Sequence, residues 1–143
     1  MSGLYRIEDG PIDPGEAIGA VGGPDRGAIA TFTGTARDHH GGRRVVALEY
    51  QAYAPMAEEV LRAIGAEVAE RFGTPHVAIL HRIGRLAIGE ASVVVAVAAA
   101  HRREALAGCA YAIERHKAMA PIWKREHYED GAAWIEGCTD AGG

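Results

Sequence analysis

Lys117-Ala118-Met119-Ala120-Pro121-Ile122-Trp123-Lys124-Arg125-Glu126 is the stretch in which a helical pattern gives way to an extended one. Upstream of it Leu106, Cys109, Ala110 and Ile113 recur at three and four, and Lys117 is the next member of that stripe. The spacing predicts a helix over 102–119. Pro121 disfavours helical backbone at the residue before it and stops the helix there. Residues 122–128 then read as a strand with Ile122, Lys124 and Glu126 on one face and Trp123, Arg125 and His127 on the other. Lys117 and Lys124 are the only lysines among the fifteen lysines and arginines. Arginine stays protonated in proteins, whereas a desolvated lysine can lose its proton and act as base or nucleophile. Lys117, at the end of a buried stripe, is expected to be partly desolvated. Glu126 is placed to touch Lys124, as a proton partner or as an ordinary ion pair. The competing reading is a helix end with two solvated lysines.

Outward from this stretch, the elements alternate without a regular βαβ rhythm. A short strand over 4–7 precedes Asp13-Pro14-Gly15-Glu16, which reads as an N-cap, a proline at the first helical position and an early acid. The short helix that follows closes at Gly22-Gly23-Pro24. Residues 27–36 form an apolar, β-rich run expected to be a mostly buried strand. Residues 37–44 are a polar, glycine-centred loop expected to be flexible. Its adjacent His39 and His40 could suggest a metal, but neighbours on an extended segment point apart, and no spaced cysteine or third histidine joins them. Residues 45–52 return as a strand with Val46, Leu48, Tyr50 and Ala52 on one side. Over 55–72 the repeat of Met56, Val60, Leu61, Ile64, Val68 and Phe72 marks an amphipathic helix that Gly73 ends. A strand over 76–83, a tight connection framed by Gly84 and Gly89, and a valine-rich central strand over 92–100 follow. A turn at 129–131 and a last strand over 132–136 lead into a frayed tail over 137–143. The expected fold class is α+β, with helices on one face of a mostly antiparallel sheet, in one domain spanning 1–143.

Composition narrows the function. Of 143 residues 48% are hydrophobic, and the net charge is -4. That balance argues against a general nucleic-acid binder, which needs a basic face. The longest apolar run, 91–100, is about half of what a bilayer requires, so no membrane span is expected. No signal peptide is visible, and Cys109 and Cys138 form neither a CxxC nor a disulfide framework, which points to the cytoplasm. Cys109, on an apolar helix face, is read as a small hydrophobe.

Two cationic positions can hold an anion. His101-Arg102-Arg103 opens the 102–119 helix, where the macrodipole disfavours cations unless an anion compensates. Arg37 follows a strand and opens the polar loop, a position suited to clamping an acidic ligand. Each has a bland alternative, an arginine in water. Together with Lys117 and Lys124 they predict a cationic pocket for a small anionic substrate, with acyl or proton transfer within reach of the amines.

Four blocks carry a family resemblance: Thr31-Phe32-Thr33-Gly34-Thr35-Ala36-Arg37, His81-Arg82-Ile83-Gly84, Ala100-His101-Arg102 and 117–126 as quoted above. In order and spacing they resemble the catalytic (large) subunit of molybdopterin synthase, the MoaE family, over about 27–136. The resemblance implies an α/β-hammerhead fold and a homodimer. It also implies a small ubiquitin-like sulfur-carrier subunit at each end of that dimer, giving a heterotetramer. The implied reaction moves sulfur twice from the carrier's C-terminal Gly-Gly thiocarboxylate into cyclic pyranopterin monophosphate, forming the dithiolene of molybdopterin. No cofactor is implied for this subunit, molybdenum arriving later. Carried over, the substrate-binding set is Thr35, Ala36, Arg37, His101, Arg102, Lys117, Lys124, Arg125 and Glu126, with Lys117 and Lys124 catalytic. His101 and Arg102 are implied to come from the other subunit. Family members often carry a basic residue where this chain has Thr35, so that contact is expected through backbone. The Gly142-Gly143 ending resembles the carrier's tail without a ubiquitin-like domain before it. A non-catalytic module that kept the anion pocket, and another transferase acting on a phosphate substrate, remain as alternatives at this stage.

Overall fold

The fold was analysed in a computed structural model, which describes residues 3–129 and 131–135. The elements in chain order are β1 (Leu4–Glu8), α1 (Pro14–Val21), β2 (Ala28–Thr35), β3 (His39–His40), β4 (Arg43–Ala52), α2 (Ala54–Phe72), β5 (Val77–Arg82), β6 (Gly84–Ala87), β7 (Ala91–Ala99), α3 (Arg102–Met119), β8 (Ile122–Tyr128) and β9 (Gly131–Ile135). The expected α+β class and mostly antiparallel pairing hold. The tail over 137–143 lies outside the described residues.

The strands divide between two sheets. The first runs β1-β5-β7-β2 and the second β3-β4-β8-β9, with β6 also on β4. Only the β1–β5 pairing among these is parallel. In the first sheet, β5 and β7 are buried almost throughout because both faces are covered. On one face Leu61, Ile64 and Val68 of α2 and Ala105, Cys109 and Ala112 of α3 meet Val77, Ile79, Val95 and Val97. On the other, Ala17 and Val21 of α1 meet Ala78, Leu80, Val94, Ala96 and Ala98. The expectation of helices on one face is therefore corrected: α1 takes the second face. That burial explains why β7 reads as a continuous apolar run and not as an alternating one.

Several local readings shift for identifiable reasons. β2 is an edge strand with exposed Ile29, Thr31, Thr33 and Thr35, so the expected mostly buried strand is half-covered. In β4 a register shift between Val45 and Ala47 turns Val46 outward, while Val45 and Leu48 stay buried. The connection expected between Gly84 and Gly89 contains β6, antiparallel to β4. The polar loop over 37–44 is a hairpin in which His39 pairs with Arg44 and His40 with Arg43. Its turn residues Gly41 and Gly42 have φ of 58° and 79°, the two positive values that a two-residue type I′ turn requires.

The buried stripe of α3 is rotated from the expected one. It comprises Ala105, Gly108, Cys109, Ala112, Ile113 and His116, whereas Leu106 and Ala110 face out. Small residues set this orientation because α3 must approach closely. A Cβ on Gly108 would lie 3.1 Å from Cγ1 of Val97 and 3.2 Å from Cγ1 of Val68. In α2 the buried stripe likewise runs through Ala57, Leu61, Ile64, Gly65 and Val68, leaving Met56 exposed.

Gly65 supplies a stability test with an informative sign. An interior helical glycine replaced by alanine ordinarily gains about 1 kcal/mol of helix propensity. A Cβ here would collide with the hydroxyl and Cζ of Tyr5. Gly65→Ala is therefore expected to destabilise the chain by about 1–3 kcal/mol, the cost of overpacking, as measured by urea unfolding. A stabilised Gly65→Ala variant would contradict the Tyr5–Gly65 contact.

Candidate active site

The candidate site is a cleft of about 240 Å³ between the two sheets, closed at one end by the last turn of α3. Its wall is formed by Thr33, Gly34, Thr35, Arg37 and His39 after and along β2, by Leu48 and Tyr50 of β4, and by His81 of β5. Phe32 of β2, Ser92 and Val93 of β7, His116 and Lys117 of α3, and Ile122, Lys124 and Glu126 of β8 complete it. Strand alternation delivers the β8 residues: Ile122, Lys124, Glu126 and Tyr128 are buried, and the residues between them turn the other way.

At the centre lies an ion pair of low exposure. Lys124 is 6% and Glu126 3% exposed, with Nζ 3.5 Å from Oε2. Burial lowers the pKa of the Lys124 amine. Glu126 opposes that shift, and the charges of Lys117 and Arg37 reinforce it. For Glu126 burial is the largest single influence and would raise its pKa. Hydrogen bonds from His40 and Tyr128, with the charges of Lys124 and His40, together outweigh burial and hold the carboxyl below its usual range. The His40 Nδ1 to Glu126 Oε1 distance is 2.5 Å, and the Tyr128 hydroxyl donates to the same oxygen. An ionised carboxylate thus sits beside an amine that burial and two nearby cations make easier to deprotonate, which is a workable proton-transfer pair.

Sequence reasoning expected Lys117 to close the buried stripe and to be partly desolvated. The rotation of α3 corrects the first expectation, since His116 ends the stripe; Lys117 stands half-buried on the cleft wall, and Lys124 is the more deeply buried amine. The expected face for Lys124 and Glu126, and their contact, hold. Of the other expected residues the cleft collects Thr35 and Arg37. Ala36 instead packs under the hairpin with Val45, Leu48, Leu86 and Tyr128. Arg125 lies on the opposite face of β8 from Lys124. His101 and Arg102 are exposed at the far end of α3, about 22 Å along the helix from Lys117 at 1.5 Å per residue. His101 lines a separate depression there with Arg26, Thr74 and His76. Among the described residues no three histidine, cysteine, aspartate or glutamate side chains gather as a metal site. Cys109 is buried and its thiol is pushed up to about 11, as expected of a small hydrophobe.

The sequence reading did not place His81 and His116 in the cleft. Their rings stack with centroids 5.1 Å apart and planes at 16°, and Tyr50 meets His81 edge-on at 4.9 Å. Nδ1 of His81 and both ring nitrogens of His116 are buried without a hydrogen-bond partner. Burial, then the charge of Lys117, lowers His116 to about 4. Burial first, then His116, drives His81 well below its ordinary value. The small-residue spacing of 105, 108, 112 and 116 was the available signal for His116, and the heavier Leu106 masked it.

The two neutral imidazoles make stability pH-dependent with a definite sign. An unfolded histidine titrates near 6.5 and folded His116 near 4, so between those values the unfolded chain binds the extra proton. The contribution is present above about pH 6.5 and is lost as pH falls toward 4, to the extent of about 3 kcal/mol. His116→Leu, which removes both unpartnered nitrogens, is expected to raise Tm at neutral pH and to flatten this acid slope. Thermal melts between those pH limits measure both effects, and an unchanged slope would reject the assignment.

The sequence and the fold have close counterparts. A model of the MoaE protein family matches residues 7–119. The chain is 49% identical to the molybdopterin synthase catalytic subunit of Bacillus subtilis over 131 residues, 92% of this chain and 83% of that protein. The crystal structure of molybdopterin synthase from Staphylococcus aureus superposes with a TM-score of 0.88 at 41% identity, covering 92% of this chain and 96% of that one. At 22% identity and a TM-score of 0.75, the fold alone is shared with a structure titled as the complex of subunits 1 and 2 of molybdopterin-converting factor from Helicobacter pylori, over 91% of this chain and 88% of that one. By the family match and by these identities, the chain belongs to the MoaE family.

Proposed function

We propose that this chain is the catalytic subunit of a molybdopterin synthase. In this reading sulfur from the C-terminal thiocarboxylate of a small ubiquitin-like carrier enters cyclic pyranopterin monophosphate twice, forming the dithiolene of molybdopterin. The observation that carries it is the buried Lys124–Glu126 pair beside Lys117 and Arg37, in one cleft of a MoaE-family chain. Arg37 and the two amines provide the positive charge that a phosphate-bearing substrate needs. Attack by the thiocarboxylate sulfur and release of the carrier require proton transfer and stabilisation of oxyanions. Lys117 is the principal catalytic amine next to the carrier's terminal glycine. Lys124, with Glu126 as its proton partner, orients substrate.

The separation of His101 and Arg102 from Lys117 supports a site shared across a homodimer, with these two residues supplied by the second copy. A carrier at each end of that dimer makes a heterotetramer, in keeping with the two-subunit complex named for the Helicobacter pylori structure. The whole chain, 1–143, acts as one catalytic domain and works in the cytoplasm. Among the described residues no helix is long and apolar enough to cross a membrane.

The decisive experiment mixes this chain with thiocarboxylated carrier and cyclic pyranopterin monophosphate and assays the dithiolene product. Product that requires both components supports the synthase, whereas tight carrier binding without product would reduce the chain to a scaffold. Lys117→Arg keeps the charge but is expected to lower kcat by about 100-fold, since arginine cannot exchange the proton. Near-normal turnover would remove its special role. Equimolar Lys117→Ala and His101→Ala chains, each inactive alone, are expected on subunit exchange to recover about one quarter of the wild-type rate. Half of the dimers are then hybrids with one intact site. No recovery would show that each site belongs to a single chain.

A further inference from the structure

His40 belongs to an adjacent histidine pair that is conspicuous in the sequence, and the proposed chemistry makes no use of it. The structure places its Nδ1 2.5 Å from Oε1 of Glu126, across 86 residues of chain. Tyr128 donates to that same oxygen, and the other oxygen, Oε2, faces Nζ of Lys124 at 3.5 Å. The carboxylate therefore stands between the hairpin on one side and the amine on the other. An ionised carboxylate only accepts, so Nδ1 of His40 carries the hydrogen between them. Arg43, the register partner of His40, lies 3.7 Å from the centroid of the Tyr128 ring. Besides the β4–β8 ladder and the bond from Glu129 N–H to the Arg44 carbonyl, these two side-chain contacts, to residues 126 and 128, tie the β3–β4 hairpin to β8. Arg37 and His39, three residues and one residue before His40, line the cleft.

We propose that His40 is a positioning residue for the reaction. It holds one oxygen of Glu126 so that the other is aimed at Lys124, and the same bond seats the hairpin that brings Arg37 and His39 to the cleft. The inference rests on the reading of the cleft as the synthase site. Glu126 is faced by His40 from β3 and by Lys124 and Tyr128 from its own strand. Lys124 is faced in addition by Lys117 from α3 and by Arg37 beyond β2. Without His40, Oε1 keeps the Tyr128 hydroxyl and the carboxylate can turn away from Lys124. Glu126 then takes up a proton more readily. The amine, left with Lys117 and Arg37 as charged neighbours, gives one up more readily. The pH range over which both groups are ionised narrows from each side.

The test compares steady-state turnover and its pH profile in His40→Ala, His40→Asn and His40→Gln, with thiocarboxylated carrier and cyclic pyranopterin monophosphate as substrates. The asparagine amide places a donor where imidazole has Nδ1, whereas the glutamine amide places it where imidazole has Nε2. In the alanine and glutamine variants kcat is expected to fall at least about tenfold, with a profile narrowed from both sides and a smaller change in KM for the carrier. The asparagine variant recovers most of kcat and the wild-type profile, which a role in packing alone would not produce. Wild-type kcat and profile in His40→Ala would overturn the proposal, as would equal impairment of the asparagine and glutamine variants with unmoved pH limits. An inactive wild-type chain would overturn the synthase reading instead. Carboxyl carbon NMR titration of Glu126, which needs no substrate, then decides the contact. A pKa higher in His40→Ala than in wild type supports it, and an unchanged value overturns it.

Discussion

The buried Lys124–Glu126 pair is the constraint on which the site depends. Removing two charges from water costs several kcal/mol per ion, and mutual attraction offsets this only when the remaining hydrogen-bonding capacity is also used. Here Oε1 of Glu126 receives His40 and Tyr128 while Oε2 faces Lys124. Three separate features of the chain must meet for that to happen. β8 must alternate without a bulge, the hairpin must close over it, and the helix before it must end on time.

Each requirement has an identifiable source in the chain. Pro121 separates α3 from β8, so the alternation begins afresh at Ile122 and places Lys124, Glu126 and Tyr128 inward. Gly41 and Gly42 supply the positive φ values that turn the hairpin back in two residues. The irregularity in pairing falls on β4, between Val45 and Ala47, and leaves β8 regular. α3 in turn is held close to the first sheet by Gly108 and its alanines, which sets the cleft wall at His116 and Lys117.

The polarity of the cleft follows from this packing. One side carries the cations Arg37, Lys117 and Lys124, and the inner side carries neutral, stacked His81 and His116 against Tyr50. An unpartnered buried polar group costs about 1–3 kcal/mol, so His116 is a local concession of stability at the edge of the cleft. The chain that carries this cationic cleft belongs to the MoaE family.

The sequence by itself determined the succession of the helices and longer strands, though not β3 or β6, together with the proline boundary, the inward face of β8 and the four blocks that carry the family likeness. These are short-range properties: side-chain period, backbone restriction and turn chemistry act within a few residues. Tertiary structure alone decided the second covered face of the first sheet, the rotation of α3 that buries His116 in place of Lys117, and the closure of the hairpin through His40. In an alanine-rich helix several stripes are nearly equal in hydrophobicity, and contact with Val68 and Val97 selects among them. The partner of a buried carboxylate can lie 86 residues away, where no local pattern records it.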